Sequence, residues 1–157
     1  ATALFVHTKF ASETGFTGVS MRNDWGFAKV AGGGFDGKTQ LYDVVPKFGI
    51  TTTWPSLGSS TYSFGYPAAK KYTGNSLVYC GGSLSTDPKK NDLTWQLPNC
   101  GLTAGSSGGP WFGGFSTASG SGTAASVNSY VYRGRTGIYG PIFGSRTTAT
   151  GRSRPTS

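Results

Sequence analysis

Cys100-Gly101-Leu102-Thr103-Ala104-Gly105-Ser106-Ser107-Gly108-Gly109-Pro110-Trp111-Phe112 sets a serine between glycines and forbids a helix after it. Glycine loses the most backbone entropy in a helix and proline has no N–H to donate, so Gly108, Gly109 and Pro110 are poor helix material. Ser107 is therefore expected on a tight turn feeding a strand over residues 109–115. Outward from it the chain reads the same way, with short strand-like runs at 2–8, 25–31, 49–53, 60–65, 76–80, 124–132 and 138–143. Gly32-Gly33-Gly34, Asp36-Gly37, Thr73-Gly74-Asn75 and Gly120-Ser121-Gly122 are turn chemistry separating those runs. The pattern predicts an all-β fold without internal repeats.

Composition narrows the functional classes. Glycine makes up 26 of the 157 residues without a collagen period, which favours turn-dense β structure. Charged residues are 13% of the chain against about 25% in typical globular proteins, which argues against disorder. No run approaches the ~18 apolar residues of a membrane span, so no membrane partner is expected. The net charge is +8, and beyond Asp92 the chain has no acid but carries Arg133, Arg135, Arg146, Arg152 and Arg154. Such a surface attracts anions. The only adjacent bases are Lys70-Lys71 and Lys89-Lys90, with no base-stacking motif, so no nucleic-acid partner is expected. One histidine, two separated cysteines and scattered acids assemble no zinc, calcium or phosphate site, and no metal or cofactor is expected. Cys80 and Cys100 either close a disulfide worth on the order of 3 kcal/mol, suited to an oxidising compartment, or stand as two buried thiols. The Gly, Ser, Thr and Tyr-rich composition reads as secreted and extracellular. The start at Ala1 rather than Met is read as a processed or excised product.

A serine flanked by glycines can present its hydroxyl outward while neighbouring amides form a pocket for a developing oxyanion. Gly105-Ser106-Ser107-Gly108-Gly109 also fits the nucleophile elbow of α/β-hydrolases, but that elbow feeds a helix and needs a downstream acid and histidine, which this chain lacks. An Asp…His…Ser order fails too, because the single histidine, His7, has no acid before it. Only a His…Asp…Ser order is left.

Gly105-Ser106-Ser107-Gly108-Gly109-Pro110 resembles the Gly-Asp-Ser-Gly-Gly-Pro motif of trypsin-like, chymotrypsin-fold serine peptidases. Asn23-Asp24-Trp25-Gly26-Phe27-Ala28-Lys29-Val30 resembles the strand holding their catalytic aspartate. Phe64-Gly65-Tyr66-Pro67, Leu77-Val78-Tyr79-Cys80 with Cys100, and Ser126-Val127-Asn128-Ser129-Tyr130 extend the resemblance over about residues 20–145, closest to secreted microbial members related to glutamyl endopeptidases. The resemblance implies Ser107 as nucleophile, Asp24 as the acid that orients a histidine, and the amides of Gly105 and Ser107 as the oxyanion hole. It further implies a Cys80–Cys100 disulfide and a substrate pocket touching Gly101, Asn128, Ser129 and Tyr130. The implied architecture is an antiparallel Greek-key β-barrel over 36–145, remnant strands of a first barrel over 1–31, and a tail at 146–157.

Departures shape the functional expectation. The family's histidine motif is absent, and His7 lies in a strand-like run only a short way before Asp24. Ser106 replaces the aspartate that pairs with a freed amino terminus in animal relatives. Gly101 occupies the place of trypsin's specificity acid, and Asn128 the neighbourhood of the histidine of glutamate-selective relatives, so a neutral pocket for small or apolar side chains is expected. The overall expectation is a serine endopeptidase acting on peptide or protein substrates through an acyl-enzyme, its general-base histidine supplied by a missing upstream segment or a partner chain. The alternative is an inactive pseudoprotease or a β-barrel module binding polysaccharide or protein through its 22 aromatic residues.

Overall fold

A computed structural model describes residues 1–53, 55–90 and 93–143. The tail expected at 146–157, with Arg146, Arg152 and Arg154, lies outside the described residues, as do Asp92 and the last two positions of the expected 36–145 unit.

The amino-terminal part is a two-stranded ribbon. β1 (Ala3–Val6) pairs antiparallel with β2 (Gly26–Lys29), with Phe5 opposite Phe27. Between them lie two short helices absent from the sequence expectation, α1 (Thr8–Ala11) and α2 (Gly18–Arg22). Both start on a side-chain cap: Lys9 N–H donates to His7 Nδ1 at 3.2 Å, and Ser20 N–H to Thr17 Oγ1 at 3.2 Å. Such caps act locally and leave no periodic signal. The ribbon buries little of itself, Leu4 being 77% exposed and Phe5 56%.

After α3 (Leu41–Val44) the chain builds two sheets. One holds five strands in the order β3 (Gly49–Ile50), β9 (Ser121–Val127), β8 (Pro110–Ser116), β4 (Ser60–Gly65) and β5 (Val78–Ser83). The other orders β10 (Ile138–Gly140), β7 (Trp95–Leu97) and β6 (Ser85–Thr86). The all-β expectation holds. Among the described residues the sheets remain distinct rather than closing into one hydrogen-bonded ring, and β3 joins β9 in parallel, a departure from the all-antiparallel barrel.

Alternation explains the central sheet. Along β4 the small residues Thr61, Ser63 and Gly65 are buried, while Tyr62 and Phe64 point the other way. Phe64 meets Phe115 at 4.9 Å and Phe112 at 5.7 Å, ring centre to ring centre. The core lies where the sheets meet and comprises Leu84, Trp95, Leu97, Cys100, Leu102, Trp111, Ile138 and Ile142. Each buried tryptophan removes roughly 150–250 Å² from water, several kcal/mol apiece. β6 and β7 escaped the sequence reading, although Trp95 and Leu97 both face the core with Gln96 between them.

Candidate active site

The loop between Cys100 and β8 is held from below. Cys100 is disulfide-bonded to Cys80, with the Cα atoms 5.5 Å apart. Ala68 N–H donates to Ala104 O at 2.7 Å. Gly105 has φ +98°, and a Cβ there would stand 2.8 Å from the Ala68 nitrogen, so both the turn and the close approach require glycine. A Cβ on Gly109 would collide with the Phe64 carbonyl oxygen.

Of the two adjacent serines, Ser106 turns inward and is 3% exposed, its hydroxyl donating to Thr103 O at 2.8 Å. Ser107 is exposed, and among the described residues nothing hydrogen-bonds its hydroxyl. The backbone alternates in the same way. The amides of Ser106, Gly108 and Gly109 donate to Thr103 O, Asn128 O and Ser106 O. Those of Gly105 and Ser107 take no partner among the described residues, leaving two donors beside the Ser107 hydroxyl.

Asp24 follows α2, where Asn23 closes the helix by donating from Nδ2 to Val19 O at 2.8 Å. Its carboxylate Oδ2 accepts the Ser129 hydroxyl at 2.6 Å across 105 residues of sequence. Asp24 and Ser107 line one cavity of about 410 Å³, together with Phe16, Trp25, Gly108 and Ser129. A second cavity of about 710 Å³ opens on the other side of the Ser107 turn and is apolar, with Phe48, Phe64, Leu77 and Phe112 in its wall. His7 lines neither cavity. Besides capping α1 through Nδ1, it packs its ring 5.5 Å from that of Trp25.

Of the residues assigned to a substrate pocket, Asn128 and Ser129 line the Asp24–Ser107 cavity, whereas Gly101 and Tyr130 do not. Gly101 is exposed, and nothing lies within 4 Å of where its Cβ would be. Ser129 is the fastening of Asp24, a role that no local pattern signals. Asn128 is 3% exposed and saturated. Its Oδ1 accepts Ser63 Oγ and Trp111 Nε1, each at 2.6 Å, while Nδ2 donates to Phe64 O and Ser106 O, each at 2.9 Å. It braces the serine loop against β4 and β8, with both its amide oxygen and its amide nitrogen engaged within the protein. Tyr130 stands outside the Asp24–Ser107 cavity, donating its hydroxyl to Asp87 Oδ2 at 2.7 Å. Burial and that bond push its phenol well above the ordinary tyrosine range. Among the described residues no group of three or more His, Cys, Asp or Glu could hold a metal ion.

No protein-family profile and no curated protein matches the chain. Among solved structures it is similar to the protease Anisep from Arthrobacter nicotinovorans, with 37% identity and a TM-score of 0.73 over 92% of this chain and 61% of that one. It is also similar to a thermostable serine protease, AL20, from an extremophilic microorganism, with 37% identity and a TM-score of 0.60 over 69% of this chain and 48% of that one. The chain has a chymotrypsin-like serine protease fold. It spans about three fifths and about half of the length of these two proteases. Within this protease fold the five-stranded sheet carries the exposed serine through β8, and the segment that follows β9 carries the hydroxyl that fixes the aspartate.

Proposed function

We propose that the chain carries the nucleophile and the orienting acid of a serine endopeptidase. One observation supports this above all: Ser107 and Asp24, far apart in sequence, line the same cavity, with the serine hydroxyl unengaged and the carboxylate fixed by Ser129. In this reading the Ser107 oxygen attacks the scissile carbonyl while an imidazole takes its proton. The tetrahedral oxyanion accepts the amides of Gly105 and Ser107, the amine leaves with the proton, and water releases the acyl group by the same steps. Asp24 orients that imidazole and stabilises its charged form.

The imidazole comes from a segment upstream or from a partner chain, because His7 is committed to capping α1. The exposed ribbon of β1 and β2 is the natural seat for such a segment, since two strands alone are marginal in water. Residues 1–31 then belong to a first barrel, and 36–145 to a second that bears the nucleophile. The disulfide suits secretion, and no helix among the described residues is long and apolar enough to cross a membrane. The substrate is a peptide or protein cut after small or apolar side chains. Strict glutamate selectivity, the hallmark of the glutamyl endopeptidases, is not expected, because every polar side-chain atom of Asn128 is engaged within the protein.

An organofluorophosphonate tests the reading. In the intact assembly it should modify Ser107, and Ser107→Ala should abolish the modification. A wild-type assembly that stays unmodified overturns the peptidase reading in favour of a catalytically silent binding module, the second reading favoured by the capped His7.

A further inference from the structure

A cluster built around a buried acid lies behind the cavity wall. Asp87 is 1% exposed, and its Oδ2 accepts the hydroxyls of both Tyr130 and Tyr132, each at 2.7 Å. Oδ1 accepts the Lys89 amide at 3.0 Å, and the buried Thr94 shares a 2.7 Å hydrogen bond with the Tyr130 hydroxyl. The Tyr130 ring stacks on Tyr139 at 5.0 Å and meets Phe16, itself a cavity residue, edge-on at 5.7 Å. A carboxylate removed from water is tolerated only when several donors reach it, and here two of those donors are side chains on one short segment. That segment begins at Ser129, the residue whose hydroxyl holds Asp24. The backbone continues the link, since the amides of Ser129 and Tyr130 both donate to Tyr139 O, at 2.9 and 3.2 Å.

We propose that Asp87 is a positioning residue: by gripping Tyr130 and Tyr132 it holds Ser129 against Asp24 and so keeps the proposed catalytic acid aimed into the cavity. It touches neither Ser107 nor Asp24 and acts through the 129–132 segment alone. The inference rests on the peptidase reading for its catalytic consequence, while the grip on Ser129 is measurable without it. Three observations converge on it: the depth of Asp87 in the protein, the pairing of two phenols on a single carboxylate oxygen, and the adjacency of Tyr130 to Ser129.

The test compares the wild-type chain in its intact assembly with Asp87→Asn, Tyr130→Phe, Ser129→Ala and the double variant of Asp87→Asn with Ser129→Ala. Two quantities are read: amide hydrogen exchange at Ser129 and Tyr130, and the rate of Ser107 modification by an organofluorophosphonate. Asp87→Asn should speed exchange at those two amides about tenfold while leaving Trp111 and Phe112 in β8 unchanged. It should slow Ser107 modification by about tenfold, and adding Ser129→Ala should slow it little further, because both changes sever the same link. Unchanged exchange at Ser129 and Tyr130, or effects that multiply in the double variant, would overturn the proposal; a merely structural role for Asp87 predicts the multiplication. Should Asp87→Asn fail to fold, Tyr130→Phe removes one hydroxyl and must reproduce the faster exchange. A wild-type assembly that exchanges slowly at these amides yet leaves Ser107 unmodified would sink the peptidase reading while preserving the grip on Ser129.

Discussion

Asn128 shows how a residue marked by sequence can keep its packing partners hidden. Its place beside Ser129 and Tyr130 marks it from sequence as part of the substrate strand, while its hydrogen bonds to Ser63 and Phe64, more than sixty residues away, show only in the fold. Removing its amide would strand the Trp111 N–H and the Ser63 hydroxyl in a buried setting. Each unsatisfied buried group costs about 1–3 kcal/mol. Asn128→Ala should therefore lower the unfolding free energy by roughly 3–5 kcal/mol in a urea titration, and a loss below about 1 kcal/mol would show that water replaces the side chain. The exposed turn at Ser107 and the glycine required at Gly105 were legible because both are written in neighbouring residues. Ser129 as the fastening of Asp24 and Asp87 as the anchor of two tyrosines were not, because each depends on a partner more than forty residues away.

At the scale of elements, strands with alternation or flanking turns could be read from the sequence, as β4 and β8 were, whereas the one-turn helices and the two-residue β6 could not. α1 and α2 exist through a single cap each, and β6 is two polar residues paired to β7. The segment between β9 and β10 carries a pH signature that follows from its packing. Burial first, and then the hydrogen bond to Asp87, push the Tyr132 phenol up to about 12, and Tyr130 and Tyr139 are raised as well, in each case chiefly by burial. A tyrosine in the unfolded chain ionises near 10. The neutral phenols therefore stabilise the fold fully below about pH 10, and that contribution fades as pH rises through about 12. Spectrophotometric titration should show Tyr130, Tyr132 and Tyr139 ionising above the ordinary tyrosine range, with the thermal midpoint falling over the same interval. A single transition near pH 10 for every tyrosine, with the fold intact, would contradict the packing of Tyr130 and Tyr132 on Asp87.

Across the whole molecule one covalent link joins the two sheets. Cys80 lies in β5 of the five-stranded sheet, and Cys100 follows β7 of the three-stranded sheet and leads into the serine loop. Two ways of acting are open to it: restricting the unfolded chain, or holding the loop in shape. Cys100 is only 2% exposed within the core cluster, and the loop beyond it is braced separately by Asn128 through Ser106 and by Ala68 through Ala104. The folded loop therefore has supports that survive loss of the bond, and the larger effect falls on the unfolded ensemble, on the order of 3 kcal/mol for a link of this span. For a chain of this length that corresponds to a fall in Tm of roughly 6–12 °C. The double substitution Cys80→Ala with Cys100→Ala should show that fall by calorimetry while Ser107 modification at 25 °C changes by less than about twofold. A variant that melts like the wild type but loses Ser107 reactivity would invert the assignment and make the disulfide a support of the loop.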